Sequence, residues 1–410
     1  MREIPEAPRP GSTPRSLRQR NQRVVLAEIR RDVVTRSALG KATGLAKSTI
    51  KEITDALIAS GLVEELRDVS LEGRVGRPAS SLRISHSAGH ILGVDIGADK
   101  ILVGLAGLDG RFVRLDRTAT HDVHGRDAIL AATRQTVART LESAGVPAEG
   151  ILVTTVGTPG VIHPQSGCVS LAPQIAGWDG IDLRAELQLP VAGQVDVKRQ
   201  ADLSALAEMA VGTAQHVRNL LYVHVGIGVG GALVIDGRLY GGTDGAAGEI
   251  GYLPLGFGEV PPEHSGFGTF EWAAGGSAFA RVGARAARTE SGQRLRELAG
   301  GDPAEVSAAA VFAAAAEGDP TATEIAAQMA ERLATGIAAA ICVVNPDLTV
   351  ISGGISLAGE KLLELVYPHV ARIVPVMPKI ALSPLGEESV VTGAVHHGVE
   401  LAFDRLVPSA

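Results

Sequence analysis

Four runs of Val, Ile and Leu in this chain each end in glycine: VDIGADK (94–100), VGTPG (156–160), VGIGVGG (225–231) and VISGG (350–354). A short apolar run reads as a buried strand, and glycine at its end lets the backbone turn tightly or approach a ligand. Between the runs lie segments of helical spacing, such as Leu203, Leu206 and Ala207 in VKRQADLSALAE (197–208). Strands that end in Gly loops and alternate with helices build α/β units whose loops gather at one edge of a sheet. One Gly loop says little, but four in this order predict an α/β protein with two halves around a cleft.

At 410 residues the chain is too long for one ordinary domain. Hydrophobic residues at 45% can fill a large core, and 3% aromatics with fifty glycines suit tight α/β turns better than an aromatic-packed sandwich. Cys168 and Cys342 stand far apart. That argues against a disulfide framework or a cysteine zinc site and fits a reducing cytoplasm. No apolar run reads as a membrane span and the first 30 residues hold no signal-like stretch. A cytoplasmic protein without membrane contact is therefore expected.

Charge is unevenly spread. Residues 1–90 hold sixteen Lys and Arg against ten Asp and Glu, a balance of +6, and the remainder balances at −13. A basic front on an acidic body suggests a nucleic-acid module. Residues 1–15, rich in Pro and Arg, read as a disordered tail. Residues 16–85 do not. Val24, Val25, Leu26 and Ile29 form a helical stripe, and TRSALGKATG (35–44) reads as a short helix with Thr35 as N-cap and Gly44 as its end. A third helix turns Ile50, Ile53, Leu57 and Ile58 inward. This is a helix-turn-helix, whose second helix presents Lys47, Ser48, Thr49 and Lys51 to double-stranded DNA. LVEEL and SLRIS then alternate as two strands of a wing, with Arg74 and Arg77 at its Gly-rich tip placed for phosphates or the minor groove.

Residues 17–400 resemble the ROK family, named for repressors, open reading frames and kinases. VDIGADK is similar to its first phosphate loop, VGTPGVIHPQSG (156–167) to the next loop and APQIAGWDGIDL (172–183) to its Asn-containing sugar segment. VGIGVGGALVIDGRLYGG (225–242) is similar to the second phosphate loop, GAAGEIGYLPLG (245–256) to a Gly-Glu-Ile-Gly-His segment and NPDLTVISGG (345–354) to the adenosine-side strand. The resemblance implies a winged helix-turn-helix followed by a two-lobed actin-like, sugar-kinase (ribonuclease H-like) ATPase fold over 90–405. Lobe one would cover about 90–203 plus the C-terminal helix, and lobe two about 204–388.

The same resemblance exposes departures. Family kinases carry a catalytic Asp where this chain has Gln200, and a carboxamide cannot serve as general base. Asp202 lies about 200° further round the helix, and Asp196 lies upstream in a strand, so neither is expected to substitute. The first loop reads Gly97-Ala98-Asp99 rather than Gly-Gly-Thr, which sets a carboxylate where a phosphate would approach. The family's zinc-binding His falls on Tyr252, and its Cys run falls on HSGFGTFEW (264–272), which has no cysteine. The loop is expected to be held by packing of Phe267, Phe270 and Trp272, with no metal and no cofactor. Ligand-pocket candidates implied by the resemblance are Gly160, Gln174, Arg199, Gln200, Glu249, Tyr252 and Glu271. Arg199 suits a phosphate or carboxylate on the ligand, the glutamates suit an amino sugar, and pairing of Arg199 with a glutamate would leave the pocket empty.

The expectation is a sugar-responsive DNA-binding regulator, more a repressor than an activator, acting as a homodimer or homotetramer with a carbohydrate effector. An ATP-dependent sugar kinase and a ligand-independent global regulator are the alternatives.

Overall fold

The structure, a computed structural model, describes residues 14–66, 80–264 and 266–407. The expected wing tip with Arg74 and Arg77, and nearly all of the expected tail, lie outside the described residues. The chain opens on α1 (Pro14–Arg31), β1 (Val34–Thr35), α2 (Arg36–Thr43), α3 (Lys47–Ala59), β2 (Val63–Leu66) and β3 (Ser81–Ile84). Helix α1 therefore begins inside the segment expected as tail. Its buried face is Val25, Leu26 and Ile29, whereas Val24 is exposed, because it lies about 100° round the helix from Val25. The three strands pair antiparallel in the order β1-β3-β2. The extra strand β1 is two residues long, too short to read from sequence.

Lobe one follows: β4 (His90–Ile96), β5 (Lys100–Gly107), β6 (Phe112–Ala119), α4 (Arg126–Ala144), β7 (Ile151–Thr158), the hairpin β8 (Val161–Ile162) and β9 (Val169–Ser170), α5 (Leu183–Leu187) and β10 (Gln194–Arg199). Its sheet has the order β10-β7-β4-β5-β6. Strands β4, β7 and β10 run parallel, with Asp95 opposite Gly157 and Thr158 opposite Arg199. Their carboxyl ends meet at one edge, where open α/β sheets place ligands.

Helix α6 (Gln200–Ala210) leads to lobe two, with β11 (Leu220–Val225), β12 (Val229–Ile235), β13 (Arg238–Leu239), α7 (Thr269–Ala274), α8 (Gly276–Ala287), α9 (Gln293–Leu298), α10 (Ala308–Ala316), α11 (Pro320–Val344), β14 (Leu348–Ser352), α12 (Glu360–Ile373) and β15 (Lys379–Leu382). This sheet has the order β13-β12-β11-β14-β15. By length and composition α11 could cross a bilayer, with an 18-residue window of mean hydropathy 1.3. This corrects the expectation that no run does. Here Ile325, Met329, Leu333 and Ile337 of α11 line the lobe-two core.

The last helix, α13 (Ser389–Leu406), returns to lobe one and crosses α6. A Cβ on Gly393 would lie 1.8 Å from the Leu203 carbonyl oxygen, so the two backbones touch only because this residue has no side chain. Further along, Val395, Val399, Ala402 and Val407 share one apolar core with Val25, Leu26 and Ile29 of α1, Leu82 and Ile84 of β3, and Ile91 and Val153 of lobe one. Arg23 donates to the Val407 carbonyl at 3.1 Å and pairs with Asp404 at 2.7 Å, and Arg30 pairs with Glu400. The N-terminal unit is packed onto lobe one, not tethered to it.

Candidate ligand site and basic helix face

Strand β10 delivers Arg199 to the mouth of the cleft, and α6 starts at the next residue. Arg199 is 3% exposed. Its Nε and Nη2 donate to the two carboxylate oxygens of Asp202 at 3.0 and 2.6 Å. Its Nη1 donates to Glu249 at 2.7 Å and its Nη2 to the Ala247 carbonyl at 2.7 Å. Four of its five N–H groups thus have protein acceptors. Asp202 points away from the position of Gln200, as the helical rotation predicts, and turns back along the first helical turn to fork with this guanidinium. Because Glu249 follows β13, the Arg199–Glu249 pair joins lobe one to lobe two. Burial pushes the Glu249 carboxyl above its ordinary range, against the pull of Arg199.

Gln200 faces the other way. Its Nε2 donates to Asp95 Oδ1 at 2.6 Å and to the Ile96 carbonyl at 3.3 Å. Asp95 is 3% exposed, and burial raises its carboxyl to about 6 against the Gln200 hydrogen bond. A carboxyl raised on folding stabilises the fold while protonated, and that contribution disappears as pH climbs from its unfolded value near 3.8 through about 6. Asp95→Asn keeps a carbonyl for Gln200 and removes the titration. Its stability relative to wild type should rise by about 1–3 kcal/mol between pH 4.5 and 7.5, measured by urea unfolding at each pH. A pH-independent difference would contradict a raised Asp95.

Glu271 is the third residue of α7. Its Oε1 accepts from the Val229 amide and its Oε2 from the Gly268 amide, both at 3.3 Å. A Cβ on Gly228 would lie 1.6 Å from Oε1, so the second Gly-rich loop is shaped around this carboxylate. Burial raises Glu271, and the charge of Glu249 raises it further. Tyr252, also raised by burial and then by Glu271 and Glu249, donates its hydroxyl to the Gly266 carbonyl at 3.2 Å. Gly160 turns with φ +89°, and a Cβ there would meet Ser170 and Ala172. Gln174 is exposed, beside Pro173, whose side chain lies about 3.4 Å from where a Cβ on Gly266 would stand. The structure brings Arg199, Glu249, Tyr252 and Glu271 together, with Gly160 and Gln174 on the adjoining loops and Gln200 turned to Asp95.

The zinc implied by the resemblance does not fit these residues, and the first phosphate loop departs from its pattern. For zinc, no three His, Cys, Asp or Glu side chains converge among the described residues, and His264 stacks on Trp272 with ring centroids 4.6 Å apart. Trp272 also meets Phe267 and the Arg281 guanidinium, whereas Phe270 lies in the lobe-two core. On the first loop Asp95 is engaged by Gln200 and Asp99 is exposed at the turn, and on the second Gly loop Ile227 is exposed.

On the N-terminal unit, Thr35 caps α2 by accepting from the Ala38 amide at 3.2 Å, and Gly44 closes it with φ +71°. Helix α3 starts on Lys47 with no side-chain cap, so its first amides face outward beside exposed Lys47, Ser48 and Lys51, with Thr49 half-buried. Such an end attracts anions. Lys51 also pairs with Asp55. Sequence reasoning missed Arg36. It donates to Thr54 at 3.0 Å, Glu65 at 2.7 Å, Ser80 at 3.3 Å and Asp55 at 3.3 Å, which ties α2 to α3, β2 and the approach to β3. Its partners lie 18 to 44 residues away, beyond any local pattern.

Two five-stranded sheets joined through α6, with Asp95 and Arg199 near the carboxyl ends of the lobe-one strands, define a mixed α/β protein of the sugar-kinase type. The chain belongs to the ROK family, whose signature matches residues 91–397. It is 27% identical over 384 residues to a xylose repressor of Caldicellulosiruptor bescii, covering 92% of this chain and 95% of that one. It is also 27% identical over 308 residues to a glucokinase of Thermotoga maritima, covering 74% of this chain and 95% of the other. Among solved structures, a ROK family transcriptional regulator homologous to the E. coli MLC protein superposes with a TM-score of 0.73 at 25% identity, over 96% of this chain and 98% of that one.

Proposed function

We propose that this chain is a cytoplasmic transcriptional repressor that binds double-stranded DNA through a winged helix-turn-helix, α1 to β3, and senses a sugar in a non-catalytic cleft. The observation that carries this reading is the Gln200–Asp95 hydrogen bond. At the place of a catalytic base stands a carboxamide that already donates to the carboxylate a metal would need. Similarity to a repressor over 92% of the chain, head included, supports it.

The donor balance narrows the ligand. Arg199 is committed to protein acceptors, while Glu249 and Glu271 keep unused lone pairs. The site offers acceptors to hydroxyl or ammonium donors, so a neutral or amino sugar suits it better than a sugar phosphate. A sugar that takes Glu249 from Arg199 loosens a contact between the lobes, and so binds one closure better than the other, as a population shift requires. Helix α6 begins at this contact and touches α13, which carries the head. In a homodimer or homotetramer, the change would reset the spacing of two DNA-reading heads.

The test is fluorescence anisotropy of the protein with its own upstream DNA at fixed salt, repeated with neutral sugars, amino sugars and sugar phosphates. Release by a neutral or amino sugar is expected. Lys47→Ala and Lys51→Ala should each weaken binding by roughly three- to tenfold and lower the salt slope by about one. Sugar-dependent ADP release from ATP would favour the kinase alternative. DNA binding indifferent to every sugar would favour a ligand-independent regulator.

A further inference from the structure

Among the described residues, the loop that joins Glu249 to Glu271 has no metal-ligand set, yet both ends of it are fixed. We infer that the cluster of Arg281, Trp272 and His264 positions Glu271 and Tyr252 for the ligand, doing without metal what a bound ion would do. This deepens the sugar-responsive reading and rests on it. Trp272 adjoins Glu271 on α7. Its indole stacks on the His264 imidazole at 4.6 Å and 29°, and the Arg281 Cζ sits 3.5 Å from its ring centre. Arg281 belongs to the next helix, α8, and its Nη2 also donates to the Trp272 carbonyl. Phe267 closes the group at 6.0 Å from Trp272.

Three consecutive segments, the loop, α7 and α8, are thus joined at one indole. The consequences reach both polar residues. The Glu271 carboxylate is held by two 3.3 Å backbone contacts, too long to fix it unless α7 is itself immobile. The Tyr252 hydroxyl rests on the Gly266 carbonyl, two residues from His264. A cationic guanidinium over indole is a strong pairing of its kind, and it strengthens when partly desolvated. These residues are positioning residues, since they touch the ligand only through Glu271 and Tyr252.

Two readouts test the inference. Trp178 is fully buried, so acrylamide-quenchable emission reports Trp272. Arg281→Ala and His264→Ala should raise that quenching about twofold, and prolonged chelation should leave wild type unchanged. The sugar concentration for half-release of DNA should rise roughly tenfold in Trp272→Ala and Arg281→Ala, with sugar-free DNA affinity unchanged. Trp272→Phe, which keeps a ring under the guanidinium, should recover most of the loss. Unchanged quenching in Arg281→Ala, an unchanged midpoint in Trp272→Ala, or a chelator-induced shift would each overturn the inference. If wild type answers to no sugar at all, the sugar-sensing reading fails, and the cluster stands or falls on quenching alone.

Discussion

Arg199→Ala is expected to destabilise the chain by about 3–5 kcal/mol, because it leaves the Asp202 and Glu249 carboxylates partly or wholly buried without their cation. The loss should appear as a lower urea midpoint with an unchanged slope. The cause is separable from cavity formation. Arg199→Met fills the space but leaves the same charges, so it should be nearly as damaging. Arg199→Met with Asp202→Leu removes one stranded charge together with the cation and should recover a large part of the loss. If Arg199→Met alone were neutral, the buried ion pairs would contribute nothing to the fold, and the contact between lobes through Glu249 would carry no signal either.

Gly393→Val should be more severe, above about 4 kcal/mol, enough to prevent folding of a marginally stable chain. The missing side chain at this position lets α13 lie against the Leu203 carbonyl, and a Cβ would have to sit at 1.8 Å. No rotamer relieves a clash of Cβ with backbone, so the helices must separate. Gly230→Ala is the control: no heavy atom lies within 4 Å of a Cβ there, and a change below about 1 kcal/mol is expected. Thermal melting by circular dichroism would compare the two. A soluble Gly393→Val chain with a wild-type melt would show that the α6–α13 crossing is not as close as described.

Much of the architecture was legible because its signals are local. The apolar runs at 94–97 and 156–160 become parallel neighbours β4 and β7 in lobe one, the run at 350–354 becomes β14, parallel to β11 in lobe two, and Thr35 and Gly44 bound α2 as capping chemistry demands. Gln200 in place of an acid was readable as a departure from a motif. What it does instead was not, since Asp95 lies 105 residues away. Pairing of Arg199 with a glutamate was among the sequence expectations, and Glu249 is that partner, but the reach of Arg36 was not readable, nor was the contact of Arg281 with Trp272, which depends on the angle between α7 and α8. Val24 failed for a different reason. On a helix packed from one side, Val24 lies about 100° round from Val25 and falls past the edge of the buried face.

The shared core of α1, α13 and lobe one has a mechanical consequence. A head hung on a flexible linker would absorb a small rotation of the body as slack. This head is bolted on by Val25, Leu26 and Ile29 against Val395, Val399 and Ala402, with Arg23 and Arg30 as pins. Were the proposed sugar to rotate the body, a head packed in this way would turn with it as the far end of a lever, and the arc at α3 would grow with its distance from the fulcrum.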